Sequence, residues 1–251
     1  MNVKMIVIDL DDTLLRTNKT ISERSLATLK LCREHGIKVL YATGRGDSAK
    51  DLAPSELFDG TVYMNGATAY IGDTLIYSRL IPIKNVRDLL NAADNAGIKI
   101  AAQYGGMDYA NFNVTAQWPW ILNYEISEFN TLDIDAEKLY AVIEKPQDTE
   151  LIKKYLQNGL YLRVGRDGLA MVMHEEAVKS NAVAAIAAHC GIEQSDIVAF
   201  GDDTNDIDLL EYCGIGVAMG NALDEVKAAA DYVCDTNDND GVAKWLEENV
   251  L

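Results

Sequence analysis

Apolar and polar positions fall into blocks along the chain, and the blocks differ in period. Met5–Ile8 is a continuous apolar run that stops at Asp9, the pattern of a strand buried on both faces. Ser22 is placed to cap a helix that carries Leu26, Leu29 and Cys32 at three-residue spacing and stops near Gly36. A second apolar run, Ile37–Ala42, ends in Thr43-Gly44-Arg45. A short helix is expected before the next strand, Thr61–Met64, which ends in Asn65-Gly66. Strands alternating with helices in this way predict a doubly wound parallel α/β sheet.

The rhythm then changes. Asp73–Ile81 reads as part of a hairpin, punctuated by Pro82. A helix is predicted over Asn85–Asn95, a strand over Ile98–Gln103, a strand over Leu139–Glu144 and a helix over Thr149–Asn158. Leu160–His174 alternates and breaks at Arg166-Asp167-Gly168, a hairpin signal. After Lys179 the first rhythm resumes. Helices are predicted at Ser180–His189, Thr204–Cys213, Ala222–Ala230 and Asp240–Glu248. The strands between them are Asp196–Phe200, Ile215–Met219 and Asp231–Cys234, and Asp235–Asp240 reads as an acidic surface turn. One α/β domain, residues 1–81 and 178–251, is therefore interrupted by an inserted mixed α/β module, residues 82–177.

Composition narrows the picture. The chain has 251 residues, 49% hydrophobic and 24% charged, enough for one large globular domain or two modest ones at about 150 residues each. Lys and Arg number 22 against 39 Asp and Glu, a formal net charge of -17. Such a field repels nucleic acid and anionic membranes, and an anionic substrate would require local positive charge at its site. Cys32, Cys190, Cys213 and Cys234 are far apart with no CxxC, which reads as reduced thiols in a cytoplasmic protein. The apolar run before Asp9 is too short for a signal peptide, and no stretch approaches the roughly 18 apolar residues of a membrane span.

Ligands of open parallel sheets bind beyond the carboxyl ends of the strands. Those ends hold Asp9, Asp11 and Thr13; Thr43 and Arg45; Asn65 and Gly66; and Asp202, Asp203, Asn205 and Asp206. Carboxylates gathered at one edge stay ionised only if a cation neutralises them. A donor set of hard oxygens without His or Cys favours Mg²⁺, with Ca²⁺ or Mn²⁺ next. Asp12 and Asp203 also read as caps or turn residues. An Asp at the strand tip can attack phosphorus once a metal removes the charge repulsion. A second Asp two residues on can donate a proton to the leaving oxygen and then take one from water. Thr43 offers a hydroxyl, Gly44 a backbone N–H near an expected helix N-terminus, and Lys179 a cation ahead of the Ser180 helix.

Taken together, DLDDT at Asp9–Thr13, ATGR at Ala42–Arg45, VKSNAV at Val178–Val183 and GDDTND at Gly201–Asp206 resemble the four signatures of the haloacid dehalogenase (HAD) superfamily. MNGA at Met64–Ala67, GVAMGNA at Gly216–Ala222 and DGVA at Asp240–Ala243 extend the likeness to its Cof-type sugar-phosphatase subgroup. The resemblance implies a Rossmann-like core with an inserted α/β cap that confers substrate specificity. It implies that Asp9 is the nucleophile, forming an aspartyl-phosphate, and that Asp11 is the general acid/base with its backbone carbonyl on Mg²⁺. It implies that Asp202 and Asp206 complete the metal site, Asp206 directly or through water. Thr43 and Lys179 would hold the phosphate, with Asn205 fixing Lys179 or the phosphate; Gly44 through its N–H and Arg45 through its charge are read from their own placement as further phosphate-binding residues. Asp at position 11 marks phosphatases and phosphomutases rather than dehalogenases. Residue 12 is Asp where the family commonly has Gly.

The expected activity is Mg²⁺-dependent hydrolysis of a small phosphorylated metabolite, a sugar phosphate first. A phosphomutase of the phosphomannomutase kind and a non-catalytic phosphosugar-binding module are the alternatives. The acidic surface fits a monomer or weak homodimer that binds neither nucleic acid nor membrane. In the inserted module, which would sit over the active-site face as a hinged lid, Trp118-Pro119-Trp120 could stack on a ring substrate, although packing in the module's own core is the favoured reading. Asn111, Asn113 and Gln117 could bind hydroxyls. His174 could face the pocket but is more simply structural, and His35 and His189 close helices.

Overall fold

The computed structural model describes residues 2–119, 121–165 and 168–251. Elements follow in chain order: β1 (Met5–Ile8), α1 (Glu23–Glu34), β2 (Lys38–Ala42), β3 (Gly60–Tyr63), β4 (Thr68–Ile71) and β5 (Thr74–Ser78). Next come α2 (Ile83–Asn95), β6 (Ile100–Tyr104), β7 (Met107–Ala110), α3 (Val114–Gln117), β8 (Tyr124–Ile126), β9 (Lys138–Val142), α4 (Pro146–Tyr155), β10 (Leu160–Val164) and β11 (Leu169–His174). The chain ends with α5 (Lys179–Cys190), β12 (Ile197–Gly201), α6 (Ile207–Tyr212), β13 (Ile215–Ala218), α7 (Asp224–Ala229), β14 (Tyr232–Val233) and α8 (Gly241–Asn249).

Two compact units result: Met1–Ser78 with Val178–Leu251, and Arg79–Ala177. The first holds an eight-stranded sheet in the order β14-β13-β12-β1-β2-β3-β4-β5. From β14 to β3 the pairing is parallel, and β4 and β5 add an antiparallel edge. Every residue of β1 and β12 is buried, as continuous apolar runs at the centre of a covered parallel sheet should be. The predicted α/β class, with helices alternating with parallel strands, is the observed one.

Three local differences have physical causes. The helix expected between β2 and β3 is replaced by two single 3₁₀ turns, Asp47–Ala49 and Ser55–Leu57, because Gly46 and Pro54 interrupt any longer run. The hairpin begins earlier than expected: β4 and β5 turn over Gly72-Asp73, with Gly72 at φ +51°. Helix α4 starts at Pro146 rather than Thr149. Proline lacks only an N–H that a first-turn residue leaves unpaired anyway, and the Asp148 carboxylate accepts from the Glu144 and Lys145 N–H groups at 3.1 Å each.

The second unit is a six-stranded sheet in the order β10-β11-β9-β6-β7-β8, antiparallel except for β7 with β8. One face packs against α2 and α4 through Val86, Leu89, Leu90 and Ile152 on Ile100, Leu139 and Val172. The other carries a smaller cluster of Ala101, Ala110, Val114 and Tyr140, with Trp118 packed against it. Of the expected hairpin signal, Gly168 sits at φ +79° between β10 and β11, while Arg166 and Asp167 lie outside the described residues. Trp120 does too.

Candidate active site

Strands β1 and β12 are parallel neighbours, so their last residues share one sheet edge. The Asp9 N–H donates to the Phe200 carbonyl at 3.0 Å, which carries the pairing one step past the strands. Beyond Asp9 the chain makes a wide turn closed by Leu14 N–H to the Asp9 carbonyl and Leu15 N–H to the Leu10 carbonyl. Asp12 occupies the left-handed region there, at φ +57°. Glycine reaches that region without steric cost, and Asp and Asn are the side chains that reach it most easily, so Asp12 can stand where the family commonly has Gly.

On β12 the loop after Gly201 folds back on itself. Asp206 Oδ2 accepts from the Asp202 and Asp203 N–H groups at 3.0 and 3.2 Å. A Cβ on Gly201 would come within 2.4 Å of the Asp206 Cβ, so only glycine allows this closure. The Thr13 hydroxyl donates to Asp202 Oδ1 at 2.8 Å and ties the two loops together.

Lys179 opens α5 and is fully buried. Its ammonium donates to Asp9 Oδ1 and Asp206 Oδ1, each at 2.6 Å. One oxygen from each of Asp9, Asp202 and Asp206 lies within 4.8 Å of the others. Three clustered carboxylates face one ammonium, so negative charge is in excess. Burial holds the Asp9 carboxyl well above its ordinary range despite the pull of Lys179, and the Asp206 charge adds to the rise. Burial also pushes Asp202 up to about 7, helped by Asp206 and Asp12 and opposed by the Thr13 hydrogen bond. Burial alone would lower the Lys179 ammonium's pKa, but Asp206 and Asp9 overcome it and raise it. A divalent cation would relieve this imbalance. The donors fit one: they are hard oxygens without His or Cys. Both Asp206 oxygens already accept hydrogen bonds, which leaves Asp9 Oδ2 and Asp202 Oδ2 as the carboxylate oxygens without a partner among the described residues.

Asp11 lies apart from this cluster. Its side chain takes Arg45 Nε at 2.5 Å, Arg45 Nη2 at 2.8 Å and Lys19 Nζ at 3.0 Å. Burial would raise its pKa, but these two cations hold it below the usual carboxylate range. Asp9 and Asp11 are thus pushed in opposite directions, Asp9 up and Asp11 down. Lys19 has no signal in the motifs. It sits on a separate turn, at φ +62°, and is found only once the chain is folded.

The β2 end supplies Thr43, buried, whose hydroxyl oxygen accepts from the Arg45 N–H at 3.1 Å. The helix N-terminus expected behind Gly44 is absent: only the 3₁₀ turn at Asp47–Ala49 follows. Gly44 instead lies close to Asn65, whose Oδ1 would stand 3.0 Å from a Cβ there. Asn205 donates to that same Asn65 Oδ1 at 2.9 Å, whereas Lys179 is fixed by Asp9 and Asp206. Asn65 therefore joins the β2 and β12 loops, a role its place after β3 did not announce.

Within the inserted unit, several polar candidates are engaged in its own fold. Asn111 donates to Asp94 and to the Ile98 carbonyl and accepts from the Ile100 N–H. Asn113 caps α3, and Gln117 accepts from Lys99. Trp118 packs edge-on against Tyr140, and His174 accepts from the Glu176 N–H. His35 Nδ1 lies 2.8 Å from the Leu31 carbonyl at the end of α1.

A doubly wound sheet with acids and a buried lysine at its strand ends is an arrangement suited to an α/β-fold enzyme of phosphoryl transfer. Residues 6–246 match the haloacid dehalogenase-like hydrolase family, and the chain belongs to that family. The phosphatase YitU of Bacillus subtilis (strain 168), named for 5-amino-6-(5-phospho-D-ribitylamino)uracil, is 30% identical over 267 residues, spanning 97% of this chain and 96% of its own. Among solved structures, the HAD phosphatase BT1666 of Bacteroides thetaiotaomicron aligns at TM-score 0.85 and 27% identity, covering 98% of this chain and 94% of that one. The HAD subclass IIB sugar phosphatase BT4131 aligns at TM-score 0.83 and 25% identity, covering 98% of both. The chain is a phosphatase, a phosphoric monoester hydrolase. No helix among the described residues is long and apolar enough to cross a membrane.

Proposed function

We propose that the chain hydrolyses a sugar- or polyol-type phosphate monoester with Mg²⁺, through an aspartyl-phosphate on Asp9. The observation that carries this reading is the Lys179 ammonium held between Asp9 and Asp206, at 2.6 Å from each, with Asp202 beside them. Asp9 Oδ2 is the free oxygen at the tip of β1 and attacks phosphorus. Asp9, Asp202 and the Asp11 carbonyl would hold Mg²⁺, with Asp206 completing the site directly or through water. The metal, when bound, lowers the repulsion between carboxylate and phosphate. Lys179, Thr43, the Gly44 N–H and Asn205 hold the transferred phosphoryl group, and their charge and hydrogen bonds stabilise it as it passes between oxygens.

Asp11 protonates the leaving oxygen and then takes a proton from the water that releases phosphate. In the substrate-free state Arg45 and Lys19 hold it ionised. An arriving phosphate competes for Arg45, and loss of that cation raises Asp11 toward the protonated form its first step needs. The unit Arg79–Ala177 acts as the substrate-specificity cap, and the remainder as the catalytic core. A sugar or polyol ester is supported by the names of BT4131 and YitU. The four free thiols support a cytoplasmic location, and the acidic surface supports a monomer or weak homodimer.

Steady-state hydrolysis of an aryl phosphate tests the reading. Turnover should require Mg²⁺, stop with EDTA and return when Mg²⁺ is restored. Asp9→Asn should lower kcat by at least about a thousandfold, the scale of losing a reacting group. Full activity in Asp9→Asn would falsify the mechanism.

A further inference from the structure

Asp235–Asp240, expected as an acidic surface turn, is a closed loop turned onto the segment that follows β1. Its own bonds close it. The Asp235 carboxylate accepts from the Thr236 N–H at 2.8 Å, from Asn239 at 3.2 Å and from Lys244 at 2.6 Å. The Asp235 carbonyl accepts from the Gly220 N–H at 3.2 Å, which ties the loop to the chain just beyond β13. A Cβ on Gly241 would come within 2.1 Å of that same carbonyl oxygen, so the DGVA segment needs its glycine for this closure. None of these residues takes part in the phosphoryl chemistry proposed above.

Side chains of residues 221–240 hold the segment 12–20. Asn221 Nδ2 donates to the Asp12 carbonyl at 2.7 Å, and its Oδ1 accepts from the Asn237 N–H at 3.0 Å. Asn237 is buried and donates to the Leu15 carbonyl at 3.0 Å. Asp238 accepts from the Thr17 N–H at 2.9 Å and from its hydroxyl at 2.8 Å, and Asp240 accepts from Arg16 at 2.7 Å. The segment also closes on itself, by the Arg16 N–H to the Thr20 carbonyl at 2.9 Å and the Lys19 N–H to the Arg16 carbonyl at 2.8 Å. Thr17, Asn18, Lys19 and Thr20 are exposed, so hydrogen bonds rather than apolar burial fix this turn. From it Lys19 Nζ reaches Asp11 Oδ1 at 3.0 Å.

We propose that Asn221 and Asp238 are positioning residues for Asp11, Asn221 through the main chain and Asp238 through Lys19. The assignment rests on the phosphatase reading above, in which Asp11 hands a proton to the leaving oxygen. Asp12 sits at φ +57° and Lys19 at φ +62°, a conformation that a side-chain-bearing residue keeps only where its surroundings hold it. The Asn221 amide on the Asp12 carbonyl is such a hold, and it acts one residue past Asp11. The two Asp238 bonds to Thr17 act two residues before Lys19. An exposed ion pair on its own holds a long side chain weakly. The pair of Lys19 with Asp11 is partly exposed on both sides, so its geometry depends on the turn that carries Lys19. Arg45 also holds Asp11, but an arriving phosphate competes for it, which leaves Lys19 as the cation that stays. Proton transfer is sensitive to placement, and a displacement of about 1 Å can cost about a hundredfold.

The test uses the full chain, saturating Mg²⁺ and two phenyl phosphates, one releasing 4-nitrophenol and the other 4-methoxyphenol. The value of kcat/KM reports the first transfer, in which the poor leaving group needs a proton from Asp11 and the good one does not. Asn221→Ala and Asp238→Ala should lower kcat/KM about tenfold for the 4-methoxyphenyl ester and by no more than about twofold for the 4-nitrophenyl ester. Asn221→Asp keeps the acceptor for Asn237 but loses the donor to Asp12, and it should behave as Asn221→Ala does. Asp11→Asn should show the same selectivity more steeply. The second readout is amide hydrogen exchange in EDTA. Exchange over residues 12–20 should quicken at least about tenfold in Asn221→Ala and Asp238→Ala and keep the parent rate in α5 and β12. Equal losses on the two esters, parent-like kinetics, a parent-like Asn221→Asp or unchanged exchange would each overturn the positioning role alone, provided Asp11→Asn remains selective. A parent that hydrolyses neither ester would overturn the phosphatase reading, and the positioning role with it.

Discussion

Lys179 carries a heavy electrostatic demand. It is fully buried, and both carboxylates it touches are buried with it. A buried ion pair contributes little net stability when intact, but removing one partner strands the other charge, at a cost of about 3–5 kcal/mol. Lys179→Met should therefore destabilise the metal-free protein by about that amount at pH 8. The loss should be smaller at pH 5, because Asp9, already pushed up by burial, then takes a proton and sheds its charge. Urea unfolding at the two pH values, in EDTA, checks this. Equal stability of variant and parent at pH 8 would contradict the charge arrangement described for the site. Turnover with Mg²⁺ should fall by at least about a hundredfold, the scale of losing one group that stabilises developing charge.

At the scale of elements, the turn after β3 organises the site more than any one strand does. Gly66 sits at φ +106°, and a Cβ there would lie 2.3 Å from the Val178 carbonyl oxygen, just before Lys179. Gly66→Ala should thus strain the backbone and displace the start of α5. We expect a loss of about 2–4 kcal/mol and a drop in kcat/KM beyond what unfolding explains, measured on the folded fraction. The main strands and the motif residues at their ends were legible because continuous apolar runs and strand-end polar clusters are local signals. Asp9, Asp11 and Asp202 are expected to converge with Asp206 nearby; Asp9, Asp202 and Asp206 do meet in space, with Lys179 among them, whereas the Asp11 side chain turns to Arg45 and Lys19. Other features depended on packing that no local pattern carries. Helix α4 begins at Pro146, three residues before the predicted start at Thr149, because the Asp148 carboxylate caps the first turn. The segment between β2 and β3 has helix-compatible residues but too short a span between Gly46 and Pro54. Lys19, and the tie that Asn65 makes between the β2 and β12 loops, became visible only through long-range contacts that neither segment's own pattern carries.

For the molecule as a whole, the -17 charge and the acidic cluster pull stability in the same direction as pH changes. Asp202 has a folded pKa of about 7 against an ordinary value of 3.8. A carboxyl raised on folding favours the native state below its unfolded pKa and loses that contribution as pH rises through its folded value. Asp9 is shifted in the same sense. Asp11 is shifted the other way, so its contribution is lost only as pH falls through the acidic range. The metal-free protein should therefore lose stability as pH rises from about 4 to about 7, beyond any general effect of self-repulsion. Divalent metal reverses the sign of the local effect, because it binds the ionised carboxylates and must displace their protons at low pH. The rise in melting temperature on adding Mg²⁺ should accordingly be larger at pH 8 than at pH 5, and Asp202→Asn should flatten both trends. Sodium chloride at matched ionic strength separates screening of the surface charge, which it reproduces, from occupation of the site, which it does not. If Mg²⁺ and sodium chloride raised the melting temperature equally at pH 8, the strand-end acids would not be a metal site at all.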